Sequence, residues 1–144
     1  MENGRSERLP LPIRLDTPRL TPLDASFLEV ESPNAHMHVG WVALFEPPGG
    51  GVTFEQLREH IAARLDRAPR YRQKLATVPF GFNDPVWVDD ERFDVDRHVF
   101  RAVAGDLGAI ADAVFSVPLA RDRPLWELWI ADGLDDGRIG VVGK

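Results

Sequence analysis

Residues Pro124 to Lys144 read PLWELWIADGLDDGRIGVVGK. An apolar strand, an Asp-Gly turn and a second apolar strand follow one another without a helical period. Ile139, Val141 and Val142 place apolar side chains on both faces of the second run, which is the pattern of a strand covered on both sides. Trp126 and Trp129 lie three positions apart, so alternation sends them to opposite faces, with at least one in the core. A sheet buried on both faces needs layers above and below it, and the rest of the chain is read for the elements that supply them.

Working back from that hairpin, DLGAIADAVF places Leu107, Ile110, Ala111, Val114 and Phe115 at helical spacing behind Asp106, an N-cap. Before it, PVWVDDERFDVDRHVFRAVA alternates in two places, predicting a short strand near Val86 to Val88 and a longer one over Asp96 to Val103. TFEQLREHIAARLDRA carries a capping box, Thr53 with Gln56, and sets Phe54, Leu57, Ile61 and Leu65 on one face before Pro69 closes it. The glycines of PPGGG (Pro47 to Gly51) form a turn.

HMHVGWVALFE, His36 to Glu46, reads as a strand. Met37, Val39, Trp41, Ala43 and Phe45 lie on one side, with His36, His38, Gly40, Val42 and Leu44 on the other. Its second half is apolar on both, which predicts an inner strand. Thr21 caps a short helix, with Pro22 at its first position and Asp24 in its first turn, and Pro33 ends it. Residues 1–20 hold three prolines and four arginines without periodicity, an extended lead-in to a domain spanning 21–144. The order of elements predicts an α/β fold with a mixed, mostly internal sheet and flanking helices.

Composition narrows the function. With 44% hydrophobic residues in 144, a core is within reach, and a net charge of -6 argues against a nucleic-acid partner. The absence of cysteine excludes a disulfide framework and thiolate chemistry, and suits a reducing, cytoplasmic compartment. Charged residues interrupt every long apolar run, so any membrane contact is expected to be peripheral, at the inner face of the cell membrane.

Several side chains invite a chemical reading. His36 and His38 share a strand face, as a metal pair would, but no third ligand stands at a suitable spacing, and no metal or cofactor site is assigned. The Gly49 to Gly51 run lacks a phosphate-loop pattern, and neither Ser26 nor Ser116 sits in a nucleophile elbow. Arg64, Arg67, Arg70, Arg72 and Lys74 form the densest cationic cluster. It reads either as a solvated helix end or as a contact for an anionic phosphate or lipid head group.

Four blocks, taken in order, carry a family likeness: LTPLDASFLEVESPNAHMHVGWVALFE, APRYRQKL, PVWVDDERFDVDRHV and PLARDRPLWELWIADGL. Together they resemble the N-terminal region of the bacterial wax ester synthase/diacylglycerol acyltransferase family over about residues 19–144. Pro124, Leu125 and Trp126 match that family's PLW motif, which the resemblance implies to be wall or support of a substrate channel. Ala120 departs from it, since many relatives have Asp there.

The resemblance implies part of a chloramphenicol-acetyltransferase-like, CoA-dependent acyltransferase fold. It implies transfer of an acyl group from acyl-CoA to diacylglycerol or a fatty alcohol, with acyl-CoA as substrate and no resident cofactor, near a membrane or lipid-droplet surface. In the family a His-His-x-x-x-Asp-Gly motif supplies the general base. None of His36, His38, His60 or His98 stands in that context, so no catalytic residue is assigned among residues 1–144. The motif is expected to follow Lys144, making the chain the front piece of such an enzyme. The competing expectations are a non-catalytic remnant that binds lipid or a partner chain, and a related acyltransferase with another acceptor, against which the PLW block argues.

Overall fold

The computed structural model describes residues 18–78, 84–103 and 105–144. Most of the expected lead-in, residues 1–17, lies outside them. Pro18 to Leu20 already belongs to the fold: Trp87 N donates to Pro18 O at 2.9 Å, Arg19 bridges to Val86, and Leu20 is buried.

Helix α1 (Pro22–Val30) begins as its sequence dictates, with Thr21 Oγ1 accepting from Asp24 N. The chain then makes a tight turn closed by the Ser32–Ala35 bridge, leads into β1 (Trp41–Phe45), turns at Pro48 to Gly51, and enters α2 (Phe54–Ala62). The turn places Gly50 at φ +104° and Gly51 at φ +75°, a region glycine enters without a Cβ penalty. The α2 capping box is complete: Gln56 N donates to Thr53 Oγ1, and Thr53 N donates to Gln56 Oε1. Two short 3₁₀ turns (Leu65–Arg67 and Pro69–Arg72) continue where one longer helix was expected. β2 (Gln73–Ala76) and β3 (Val86–Asp89) form a separate antiparallel pair.

The main sheet adds β4 (Val99–Arg101), β5 (Leu128–Ala131) and β6 (Ile139–Gly143) to β1, in the order β1-β6-β5-β4. β4 and β5 are parallel and joined through α3 (Leu107–Phe115); the other two pairings are antiparallel. The sheet is therefore mixed, as the sequence led us to expect. Asp106 caps α3, its Oδ2 accepting from Ala109 N.

Alternation along these strands feeds two cores. On one face Val99, Ile130 and Ile139 meet Leu65, Trp126 and the α2 residues Phe54, Leu57 and Ile61. On the other, Val142 meets Ala111 and Val114 of α3, with Trp129 alongside. Trp126 and Trp129 do lie on opposite faces, and β6 is covered on both.

Three expectations about the strands are corrected. Among the described residues β1 is an edge strand, not an inner one: it pairs with β6 alone, and Val42, Leu44 and Phe45 stay about half exposed. Apolar residues on both faces report that a strand tolerates cover above and below, not that it has a neighbour at each edge. Pairing also starts later than expected, at Trp41 opposite Gly143; the preceding Gly40 packs so closely on the Phe115 ring that an added Cβ would stand 2.5 Å from it. Val95–Arg97 forms a 3₁₀ turn, which shortens the strand expected over Asp96 to Val103.

Candidate functional site: a cleft beside the sheet

A cleft of about 680 Å³ opens between α1, the 37–41 segment, the α2 end with its 3₁₀ turns, and the start of β5. Its walls are mainly apolar. Phe27 and Leu28 come from α1, Met37, Val39 and Trp41 from the approach to β1, Ile61 and Leu65 from the α2 side, and Leu125, Trp126 and Leu128 from the floor. Its volume lies within the range, about 300–1,000 Å³, of sites for small organic ligands.

Trp126 is held from three directions. Its Nε1 donates to Tyr71 O at 2.8 Å, its ring stacks on His98 with centroids 4.6 Å apart, and Tyr71 meets it edge-on. His98 is almost fully buried and packs against both Phe93 and Trp126, whose own ring centroids lie 6.5 Å apart. Its Nδ1 lies 2.9 Å from Trp126 O, and since a carbonyl only accepts, Nδ1 carries the proton and donates. Burial pushes this imidazole below its ordinary range; nearby Arg123 and Arg97 add to that, while the bond to Trp126 O opposes it.

The PLW residues divide between roles. Leu125 and Trp126 line the cleft, while Pro124 is fully buried and its carbonyl accepts from Trp126 N in a tight turn.

Polar groups gather at one end of the cleft. Lys144 is buried, and Nζ donates to Val114 O at 3.0 Å and Val117 O at 2.8 Å, at the carbonyl end of α3, where a cation suits the helix dipole. Glu127 pairs with it at 3.3 Å and also accepts from Trp129 Nε1. Arg121 is paired with Glu31. His38 faces the same space, and burial and the Lys144 charge push its pKa down. His36 stacks beside it at 6.0 Å, and its Nε2 donates to Ser116 O. Among the described residues no three His, Cys, Asp or Glu side chains stand as a metal cluster.

The cationic residues do not act as one group. Lys74 pairs with the buried Asp90 at 3.0 Å and Arg72 with Asp66 at 2.8 Å. Arg70 lies over the Trp87 ring, and Arg64, on the cleft wall, donates to His60 O. Arg67 ends the first 3₁₀ turn and is exposed. No helix among the described residues is long and apolar enough to cross a membrane. Reading the sequence missed the cleft itself, because its walls come from segments that meet only in three dimensions; the apolar residues of HMHV were the available signal.

These features define an α/β domain with an apolar cleft against a mixed sheet. The chain belongs to the wax ester synthase/diacylglycerol acyltransferase family, whose catalytic-domain model matches residues 20–144. It is similar to the probable diacylglycerol O-acyltransferase tgs3 of Mycobacterium tuberculosis, 36% identical over 132 residues, covering 88% of this chain and 49% of that protein. A second M. tuberculosis relative, the probable diacylglycerol O-acyltransferase tgs2, is 36% identical over 133 residues, covering 87% of this chain and 29% of its own length. The solved wax ester synthase/diacylglycerol acyltransferase from Marinobacter aquaeolei VT8 superposes with a TM-score of 0.70 at 30% identity, covering 88% of this chain and 32% of that one. The chain thus spans about half or less of the length of these relatives.

Proposed function

We propose that residues 20–144 form the acyl-binding wall of an O-acyltransferase with a chloramphenicol-acetyltransferase-like fold, which transfers an acyl group from acyl-CoA to diacylglycerol or a fatty alcohol. The observation that carries this reading is the apolar cleft, which suits a hydrocarbon chain along its walls and a polar acyl head at the His38 end. Pro124, Leu125 and Trp126 serve as its floor and support. The general base is the second histidine of a His-His-x-x-x-Asp-Gly motif placed after Lys144. Residues 1–144 do not contain that motif. Deprotonation of the acceptor hydroxyl as it attacks the thioester carbonyl is the step that needs this base. Lys144, tied to the α3 carbonyls and Glu127, would fix the strand end from which the motif departs. Arg64, Arg67 and Arg70 flank the cleft and would meet anionic head groups of a membrane or lipid-droplet surface.

The test joins residues 1–144 to the portion of the Marinobacter enzyme that begins at its motif and supplies labelled palmitoyl-CoA with diolein. Triacylglycerol from the chimera, and none from residues 1–144 alone, is the expected result. A folded chimera that binds palmitoyl-CoA without turnover would favour non-catalytic lipid binding instead.

A further inference from the structure

We infer that His38 is a ligand-binding residue that donates a hydrogen bond from Nε2–H to the carbonyl oxygen of a long-chain acyl ester or thioester in the cleft. The inference rests on the acyl-cleft reading above and adds to it the group that recognises the head of the chain.

The argument is one of elimination among the polar groups at that end. Lys144 Nζ spends its protons on Val114 O, Val117 O and Glu127. Glu127 accepts from Trp129 Nε1, and Arg121 is engaged with Glu31. His36 donates to Ser116 O. Among the described residues His38 has no hydrogen-bond partner, and its Nδ1 is sealed from solvent. A buried, unpartnered N–H is rarer and costlier than a buried bare acceptor, so the proton belongs on Nε2. With Nδ1 sealed, Nε2 is the nitrogen left to meet a ligand in the space the ring lines. The ring is neighboured by His36 and Phe115, each with centroids 6.0 Å away. Burial and the Lys144 charge keep it neutral near pH 7, so it is a donor without net charge, suited to an uncharged carbonyl.

The test uses three ligands of equal chain length, methyl laurate, lauryl alcohol and dodecane, titrated into the 144-residue chain and read by tryptophan fluorescence. Trp41, Trp87 and Trp126 line the cleft and report occupancy. Methyl laurate should bind about five-fold more tightly than dodecane, the worth of one net hydrogen bond. His38→Phe keeps the ring packing and should abolish that preference without changing dodecane affinity; His38→Gln, which retains an N–H, should recover part of it. In parallel, the infrared stretch of a ¹³C-labelled ester carbonyl should fall to lower frequency on binding the wild-type chain, a readout that needs no variant to fold. An unshifted stretch, a preference that survives His38→Phe, or a His38-dependent preference for the alcohol alone overturns the inference and leaves the acyl cleft standing. Failure of all three ligands to bind, dodecane included, removes the acyl-cleft reading and this inference with it.

Discussion

Trp41 lies across Gly143: a Cβ built on that glycine would stand 2.3 Å from the indole, which lines the cleft. Gly143→Ala must therefore push a large ring off the sheet, an overpacking change that costs about 1–3 kcal/mol. Urea denaturation followed by fluorescence should show that loss together with a shift in the emission of Trp41. Gly49→Ala, with nothing within 4 Å of the added carbon, should stay within about 0.5 kcal/mol of wild type. Equal midpoints for the two variants would show that Trp41 does not rest on Gly143 in solution.

Stability should fall as the solution is acidified below about pH 6.5, and His98 should account for part of the fall. The unfolded chain protonates an ordinary histidine near 6.5, whereas burial holds the His98 pKa lower in the fold. Between those two values the unfolded state binds more protons, so the stabilisation is fully present above about 6.5 and fades toward the folded pKa. His38, also depressed, acts in the same direction. His98→Asn keeps a donor toward Trp126 O without titrating, so melting temperatures measured from pH 7.5 to 5 should give a shallower slope. An unchanged slope would place the acid sensitivity elsewhere.

Trp126→Ala should cost about 3–5 kcal/mol, the range for removing a buried aromatic side chain. It empties the stack on His98 and leaves Tyr71 O without its donor. Trp126→Phe should lose less, mainly the hydrogen bond. Thermal melts of both, beside wild type, give the ordering, and a Phe variant as weak as the Ala variant would contradict it.

Vesicle binding should separate the cations by their engagements. Arg67→Gln with Arg70→Gln should weaken co-sedimentation with phosphatidylserine vesicles more than Arg72→Gln with Lys74→Gln, because Arg72 and Lys74 are paired with Asp66 and Asp90. The attraction should fade between low and high salt, as exposed charges are screened over about 10 Å at 0.1 M. Binding indifferent to salt would indicate an apolar contact.

Leu44→Lys should reduce self-association without measurable loss of stability. Leu44 sits on an edge strand at 44% exposure, beside Phe45 at 51%, and a charge there discourages pairing with another strand. Sedimentation velocity at rising concentration tests it; unchanged association would direct attention to another surface.

The helices were legible because their ends are chemical. Thr21, Thr53 with Gln56, and Asp106 each satisfy amide groups through side chains close in sequence, so cap and helix can be read together. The hairpin of β5 and β6 was legible for the same local reason. β2 was not: Gln73 to Ala76 has little apolar alternation, and it is a strand through its pairing with β3. The edge position of β1 escaped because strand order depends on partners remote in sequence. At the site, the PLW residues were singled out through family likeness, whereas His38 was weighed only as half of a metal pair that lacked a third ligand. Its sealed nitrogen and its place on the cleft exist only once α1, the α3 end and Lys144 have converged.

The register that sets Trp41 against Gly143 also has a bearing on the order of events during synthesis. The first strand along the chain pairs with the sixth, so a chain emerging from the ribosome at about 5–20 residues per second holds β1 without its partner for several seconds. Val42, Leu44 and Phe45 must stay clear of other chains through that interval. Non-local pairing of this kind slows folding. A nascent chain halted before Ile139 should therefore engage holding chaperones through β1 and release them once β6 has emerged.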